Sequence, residues 1–98
     1  MLKKKYSKDG KRCRVTFYLP ADSKAEIAYL CGDFNDWNQS ALPMKRRKDG
    51  DFYAGLTIDV GKEYRFRYWL DGKRWENDWE ADDYAPNDFG SEDSSLKV

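Results

Sequence analysis

The sequence of 98 residues has no histidine, only two cysteines and no long apolar run. Without histidine it lacks the commonest general base, the Ser-His and Cys-His nucleophile pairs and the commonest zinc ligand. Cys13 and Cys31 are too few for a metal site or a disulfide scaffold, and we expect free thiols. Carboxylates are plentiful, but paired catalytic acids need a deep cleft, which a small β domain rarely builds. We therefore expect no enzymatic activity.

Other absences concern location and partners. No apolar stretch approaches the roughly 20 residues of a transmembrane helix. The basic start of the chain leads into polar sequence, not into the apolar segment of a signal peptide. The 18 basic and 18 acidic residues balance, whereas nucleic-acid binding favours a large positive field. We expect a cytoplasmic protein with no cofactor, no nucleic-acid partner and no membrane partner.

Aromatic and charged residues are abundant, at 16% and 37% of the chain. Disordered chains of such polarity are poor in aromatic residues, so we predict one folded domain over residues 1–98. Residues 1–10 are expected to form a loose basic tail. The charges are unevenly spread, because residues 1–50 hold 12 basic and 6 acidic side chains and residues 51–98 hold 6 and 12.

Alternation of apolar and polar residues dominates the pattern and predicts an all-β, immunoglobulin-like antiparallel β-sandwich. Strands are expected at residues 12–19, 26–31, 51–59, 64–70, 73–76 and 94–98, with a short extended piece at 42–44. Asp71-Gly72 predicts a hairpin turn, and residues 77–93 a long acidic loop. A hairpin of the first two strands would place Cys13 opposite Cys31.

Four tryptophans do not fit the predicted core. Trp37 stands in a polar loop, Trp69 shares a strand face with arginines, and Trp75 and Trp79 stand among acids. They either cover the end of the sandwich or act as stacking platforms for a ligand. A pyranose ring and a nucleobase both stack on an indole, but acidic surroundings repel nucleic acid and accept a neutral sugar.

Three motifs in order resemble those of α-glucan-binding modules. Residues 29–37, YLCGDFNDW, resemble the opening "L-x-G-x-F-N-x-W", and residues 66–72, FRYWLDG, resemble the hairpin "Y-K-F-x-V-D-G". Residues 89–94, FGSEDS, resemble the loop "L/F-G-x-x-N". The family is carbohydrate-binding module family 48. It comprises the early-set N-terminal domains of isoamylases, pullulanases and branching enzymes and the glycogen-binding domain of the AMP-activated protein kinase β subunit.

This resemblance implies an early-set sandwich that binds α-1,4/α-1,6-glucans such as glycogen, starch and maltooligosaccharides without catalysis. It also implies a glycogen-metabolising enzyme as a partner. The implied carbohydrate-binding residues are the stacking pair Trp37 and Trp75, Arg67 in a lysine position, Phe89, which plugs the turn of the glucan helix, and Ser91 and Asp93. Asn35, Trp69 and Trp79 are accessory candidates.

Asp93 is the main departure from the family pattern, which has asparagine there. An ionised carboxylate accepts hydrogen bonds but does not donate them. On this ground Asp93→Asn is expected to tighten glucan binding, unless Arg67 compensates the charge. The alternative is an early-set protein-interaction or regulatory module with little or no sugar binding.

Overall fold

The computed structural model describes residues 2–87 and 90–98. The strands found there are β1 (Leu2–Tyr6), β2 (Arg12–Leu19), β3 (Ala28–Gly32), β4 (Lys45–Arg46), β5 (Phe52–Asp59), β6 (Glu63–Leu70), β7 (Arg74–Glu76), β8 (Asp83–Pro86) and β9 (Glu92–Lys97). Two single-turn 3-10 helices cover Ala21–Ser23 and Asp33–Asn35. Over the described ranges, no helix is long and apolar enough to cross a membrane.

The strands form two antiparallel sheets. The first sheet has the order β1-β2-β5-β4, and the second has the order β3-β6-β9-β8, with β7 also paired to β6. β6 therefore has β3 along one edge and shares its other edge between β7 and β9. The prediction of an all-β antiparallel sandwich is confirmed.

The core lies between the sheets and follows the alternation of the sequence. In β2, Cys13, Val15, Phe17 and Leu19 are all buried, as the pattern predicts. The Phe17 ring meets the Phe66 ring of the second sheet nearly edge-on, with centroids 5.1 Å apart. Aromatic packing of this kind stabilises the contact beyond the burial of area alone.

β6 is the strand that organises the second sheet. Phe66, Tyr68 and Leu70 are fully buried in the core. Because successive strand residues point to opposite faces, Arg67 and Trp69 lie on the outer face of this sheet. The alternation that builds the core thus also presents the residues of the candidate site.

The expectation of a loose tail at residues 1–10 is wrong for Leu2–Tyr6, which forms β1 and pairs with β2 along its length. Leu2 packs against the core. The Lys4 ammonium donates to Asp82 Oδ2 (2.6 Å) and to the Lys97 carbonyl (2.8 Å), which ties the strand to the second sheet. An edge strand needs few apolar residues, so the sequence of this lysine run resembles that of a solvated tail.

The long loop expected at residues 77–93 is also wrong in part, because Asp83–Pro86 forms β8 and pairs with β9. Its acidic side chains find donors: Asp82 accepts from the Lys97 backbone amide at 2.8 Å, and Asp83 pairs with the Lys97 ammonium at 3.2 Å. The hydrogen bond from the backbone amide of Tyr84, and then the Lys97 ammonium, lower the pKa of Asp83. The alternation of apolar and polar residues does not reveal that partners far along the chain neutralise these charges.

The predicted pairing of β2 with β3 does not occur, because the two strands belong to different sheets. Cys13 and Cys31 are therefore not opposite each other in a hairpin. Cys13 belongs to the core cluster, whereas Cys31 is buried outside it.

A buried polar contact anchors the segment that follows β7. The Tyr68 hydroxyl donates to Asp78 Oδ2 at 2.6 Å, and the Asp78 amide donates to Ser94 Oγ at 2.8 Å. Burial, and then the Asp78 carboxylate, raise the pKa of Tyr68 well above its usual value. Because a buried polar group is costly unless it is bonded, this contact fixes the chain just beyond Trp75.

Candidate functional site

A cleft of about 410 Å³ lies on the outer face of the second sheet. The residues that line it, called the cleft residues below, are Asp33, Trp37, Arg65, Arg67, Trp75, Asn87 and Asp93. The fold thus brings together four residues chosen from the sequence, namely Trp37, Arg67, Trp75 and Asp93.

The two indoles of the cleft meet at an angle. The ring centroids of Trp37 and Trp75 are 6.3 Å apart and the ring planes are inclined by 75°. The Arg67 guanidinium carbon lies 5.9 Å from the Trp75 ring centroid. Both indoles are half-buried, so they form a corner of two flat apolar surfaces with a cation beside it.

Trp75 reaches the cleft through the predicted hairpin after β6. Asp71 (φ 55°) and Gly72 (φ 67°) both have left-handed backbone angles, as this type of tight turn requires. Asp71 Oδ1 accepts hydrogen bonds from the backbone amides of Ile27 (3.0 Å) and Glu26 (2.8 Å). These two bonds lower the pKa of Asp71, and they join the turn to the segment that leads into β3.

Trp37 is presented by the loop of residues 33–38, called the Trp37 loop below. Asn35 Oδ1 accepts from the Gly32 amide at 3.0 Å, and Asn35 Nδ2 donates to the Leu30 carbonyl at 2.9 Å. Asp36 and Trp37 have positive φ values of 54° and 59°. Asn35, an accessory candidate on sequence grounds, is not a cleft residue; its amide shapes the loop instead.

Asp33 fixes the position of the Trp37 indole and is a residue that sequence reasoning missed. Its Oδ1 accepts from the Trp37 ring N–H at 3.0 Å, and its Oδ2 accepts from the Arg65 backbone amide at 2.8 Å. One carboxylate thus links the loop to β6. Nothing in the local sequence indicates this role, because Arg65 is 32 residues away.

The Trp37 loop also covers Cys31. This thiol lies on the outer face opposite Arg67, is fully buried, and donates weakly to the Asn38 carbonyl at 3.5 Å. Burial raises its pKa to about 11. The thiol is therefore protonated at neutral pH and is part of the support for the loop.

An ion pair closes one side of the cleft. Arg67 Nε lies 3.8 Å from Asp93 Oδ1, and the two side chains are only 20% and 10% exposed. The register of β6 and β9 places them side by side, one step beyond the Phe66–Ser94 pair. Arg67 Nε makes no hydrogen bond to the described part of the protein, so its stabilisation comes from the nearby carboxylate.

Asp93 also takes part in a side-chain cluster at the end of β8. Asn87 Nδ2 donates to Asp93 Oδ1 at 3.1 Å and to Ser91 Oγ at 2.9 Å, while the Ser91 amide donates to Asn87 Oδ1 at 3.2 Å. Asn87, which the sequence analysis missed, thus brings a side-chain amide to the cleft beside Asp93.

The remaining predicted residues lie around the cleft. Ser91 is exposed and bonds Asn87, but it is not a cleft residue. Trp69 contacts Trp75, with centroids 4.6 Å apart, and Trp79 is 50% exposed with its indole N–H directed at Glu76 Oε1. Neither lines the cleft. Phe89 lies outside the described residues.

The carboxylates of the cleft are held within the protein. Both of its carboxylates, Asp33 and Asp93, already accept hydrogen bonds from the protein itself. Among residues 2–87 and 90–98, no group of three or more Cys, Asp or Glu side chains is arranged to hold a metal ion. The cleft offers flat apolar rings beside fixed polar groups, which suits a ligand with apolar faces and a hydroxyl rim.

Part of the chain is similar in sequence to two branching enzymes. The chain is 30% identical over 56 residues to the 1,4-alpha-glucan branching enzyme GlgB of Aquifex aeolicus, a match covering 54% of this chain and 9% of the relative. It is 33% identical over 48 residues to the GlgB of Novosphingobium aromaticivorans, covering 49% of the chain and 7% of the relative. The chain thus matches less than a tenth of the length of each enzyme.

The sequence profile of one domain family matches most of the chain. This family is carbohydrate-binding module 48, the isoamylase N-terminal domain, and its profile matches residues 3–85. The match includes Trp37, Arg67 and Trp75 and ends before Asp93. The chain belongs to the carbohydrate-binding module 48 family.

Proposed function

We propose that this chain is a non-catalytic module that binds α-1,4/α-1,6-glucans in the cleft. The observation that carries the proposal is the corner formed by Trp37 and Trp75, with ring centroids 6.3 Å apart, beside Arg67 on the outer face of a family 48 module. The axial C–H groups of a pyranose stack on the indoles. Its hydroxyls then meet the charged and amide groups of Arg67 and Asn87.

The expected affinity is modest. By analogy with bases stacking on aromatic rings, each indole contributes about 1–3 kcal/mol. With a few hydrogen bonds to hydroxyls, this gives a Kd of about 0.1 mM, or roughly −5 kcal/mol. Such an affinity suits a module that keeps a protein on a polymer, because many sites along the polymer are available at once.

Affinity electrophoresis tests the proposal directly. Native gels cast with glycogen or amylopectin should retard the protein relative to polymer-free gels. Tyr53→Ala is a suitable control, because this tyrosine lies in β5, in the sheet that does not carry the cleft. Equal retardation of the two proteins supports the proposal, and equal mobility of the unmodified protein with and without polymer contradicts it.

Partners and location follow as further parts of the proposal. The two relatives named above are branching enzymes, and each matches this chain only over a small fraction of its length. We therefore propose a glycogen-metabolising enzyme as a partner and the cytoplasm as the location. Co-purification of such an enzyme with the tagged chain, in the presence of amylase to remove shared glucan, tests the first point.

A protein-interaction module is the second candidate, and one observation favours it. The outer face of the first sheet and its adjoining loop carry many cations: Lys3, Lys5, Arg12, Arg14, Lys45, Arg47 and Lys48. An acidic protein surface would fit such a face. Unchanged mobility in glucan gels, together with salt-sensitive binding to an acidic protein, would favour this function over glucan binding.

A further inference from the structure

Aromatic residues continue beyond the cleft in a row across the second sheet. Trp75 of β7 is directly opposite Trp69 of β6, and Trp69 is directly opposite Tyr29 of β3. Tyr29 in turn forms a bridge with Pro43 on the far edge of β3. We call these three aromatic residues, together with the proline that follows them, the aromatic row.

The row lies on one face of the sheet. Directly opposed residues of antiparallel strands project their side chains to the same side, and Trp69 is on the outer face because Tyr68 and Leu70 are buried in the core. Trp75, Trp69 and Tyr29 are half-buried, and Pro43 is exposed. The row is therefore a surface feature and not a part of the core.

Its dimensions follow from the sheet. Neighbouring strands are about 4.8 Å apart, so three strand spacings give a row about 14 Å long, running perpendicular to the strands. One aromatic or proline ring stands at each spacing, which is close to the width of one pyranose ring. A linear sugar chain could thus place successive rings over successive members of the row.

The row and the cleft share one residue. Trp75 contacts Trp37 inside the cleft, and it contacts Trp69 of the row at a centroid distance of 4.6 Å. A glucan residue stacked against Trp75 therefore has its neighbour in the chain beside Trp69. This continuity, and not exposure alone, identifies what occupies the row.

We propose that the aromatic row is an extension of the binding surface that takes the same α-glucan chain where it leaves the cleft. This inference rests on the proposed function. It assigns Tyr29 and Trp69 as contacts for additional glucose residues, so that the protein distinguishes long chains from short ones. A short oligosaccharide fills the cleft alone, whereas a longer one also covers the row.

Titration calorimetry with maltotriose and maltoheptaose tests this inference. Tyr29→Leu is the informative variant, because it keeps an apolar side chain beside Trp69 but removes the flat ring. We expect it to bind maltoheptaose about five- to tenfold more weakly than the unmodified protein, with less than a twofold change for maltotriose. Tyr53→Leu, on the first sheet, should change neither value.

Each other outcome has a defined meaning. If Tyr29→Leu binds both sugars as the unmodified protein does, or loses affinity equally for both, the row is not an extension. If Tyr29→Leu alters self-association in sedimentation experiments and leaves the affinity for maltoheptaose intact, a protein and not a glucan covers the row. If the unmodified protein binds neither sugar, the proposed function itself fails, a result distinct from a failure of the row. A cooperative thermal unfolding transition like that of the unmodified protein shows that the variant is folded.

Discussion

The two outer faces of the sandwich both carry aromatic rings, but the surroundings of these rings differ. On the first sheet, the Lys3 ammonium lies 5.5 Å and the Arg47 guanidinium carbon 5.8 Å from the Tyr18 ring centroid. On the second sheet, Trp37 and Trp75 contact each other and line a cleft. Two cations thus lie over the tyrosine on one sheet, whereas on the other sheet one cation, Arg67, lies beside a concave surface formed by two indoles.

Gly55 leaves room for an arginine side chain on the outer face of the first sheet. A Cβ atom at this position would lie 2.5 Å from Arg14 Nη2, so the arginine side chain lies flat across the strand in the space that glycine leaves. A cation lying over a ring is stabilised by the ring itself. A count of outward aromatic residues therefore does not locate a sugar site; the neighbours of each ring decide whether its face is free to stack.

Loss of either cleft indole should have the largest effect. Trp37→Ala and Trp75→Ala remove a stacking surface and should each weaken maltoheptaose binding by roughly ten- to a hundredfold. Tyr18→Ala, on the first sheet, should bind like the unmodified protein. Titration calorimetry measures all three, and thermal melting shows that they remain folded. Unchanged affinity in both tryptophan variants would show that the cleft is not the binding site.

Removal of the carboxylate that orients Trp37 should have a smaller effect. Asp33→Ala leaves the indole N–H and the Arg65 amide without their acceptor, and we expect a roughly two- to tenfold loss of affinity. Asp33→Asn keeps one acceptor oxygen, so its affinity should lie between the affinities of Asp33→Ala and the unmodified protein. Near-ultraviolet circular dichroism of the free protein should change in Asp33→Ala, because the ring is no longer held. An unaltered spectrum would contradict this positioning role.

Asp93→Asn tests whether the ion pair serves the fold or the ligand. The family pattern predicts tighter binding, but Asp93 Oδ1 already accepts from Asn87 and faces Arg67. We therefore expect about two- to fivefold weaker binding and a lower melting temperature, because the substitution leaves the guanidinium without its charge partner. Arg67→Lys is the matched control and should keep more of the affinity.

The opposite result for Asp93→Asn would be equally clear. If this variant binds maltoheptaose more tightly, the ligand takes a hydrogen bond from the amide at position 93. The cluster around Asn87 must then open when a glucan binds.

The smallest effect should come from the thiol beneath the Trp37 loop. Cys31 has its pKa raised to about 11 by burial, so the folded state holds its proton at a pH where the unfolded state releases it. The contribution of Cys31 to stability should be fully present below about pH 9 and should decline toward pH 11. Urea unfolding of the unmodified protein and of Cys31→Ala, at pH 8 and pH 10.5, measures it. A difference between the two proteins that does not shrink with pH would contradict this assignment.

Sequence alone predicted the strands that face the core. In β2, β5 and β6, one face is buried and the other is solvated, so the residues alternate and the register is readable. β1 and β8 were not predicted, because they are edge strands whose charged side chains find partners far along the chain, as Lys4 does with Asp82. Their stability depends on tertiary contacts that no local pattern contains.

The candidate site likewise contains residues that the sequence predicted and residues that it did not. Trp37, Arg67 and Trp75 were found because each is conspicuous where it stands, as a large ring or a cation in a recognisable motif. Asp33 and Asn87 were missed, since an aspartate in a turn or an asparagine after a proline is unremarkable until the fold brings Trp37 or Asp93 to it. A large ring or a cation in a motif leaves a signal in the sequence, whereas the bonding of an aspartate or an asparagine becomes visible only in the folded loop.

The two-sided nature of β6 has a consequence for motion. Its even-numbered residues pack in the core, and Arg65 and Arg67 line the cleft, so we expect the floor of the cleft to open only when the whole domain unfolds. The Trp37 loop is held by side-chain hydrogen bonds of Asp33 and Asn35 and not by a strand ladder, so we expect it to open locally with a smaller free energy. Amide hydrogen exchange should thus be slow along β6 with or without sugar, and a bound glucan should slow exchange mainly in the loop. We therefore expect a bound glucan to close the Trp37 loop against a rigid β6.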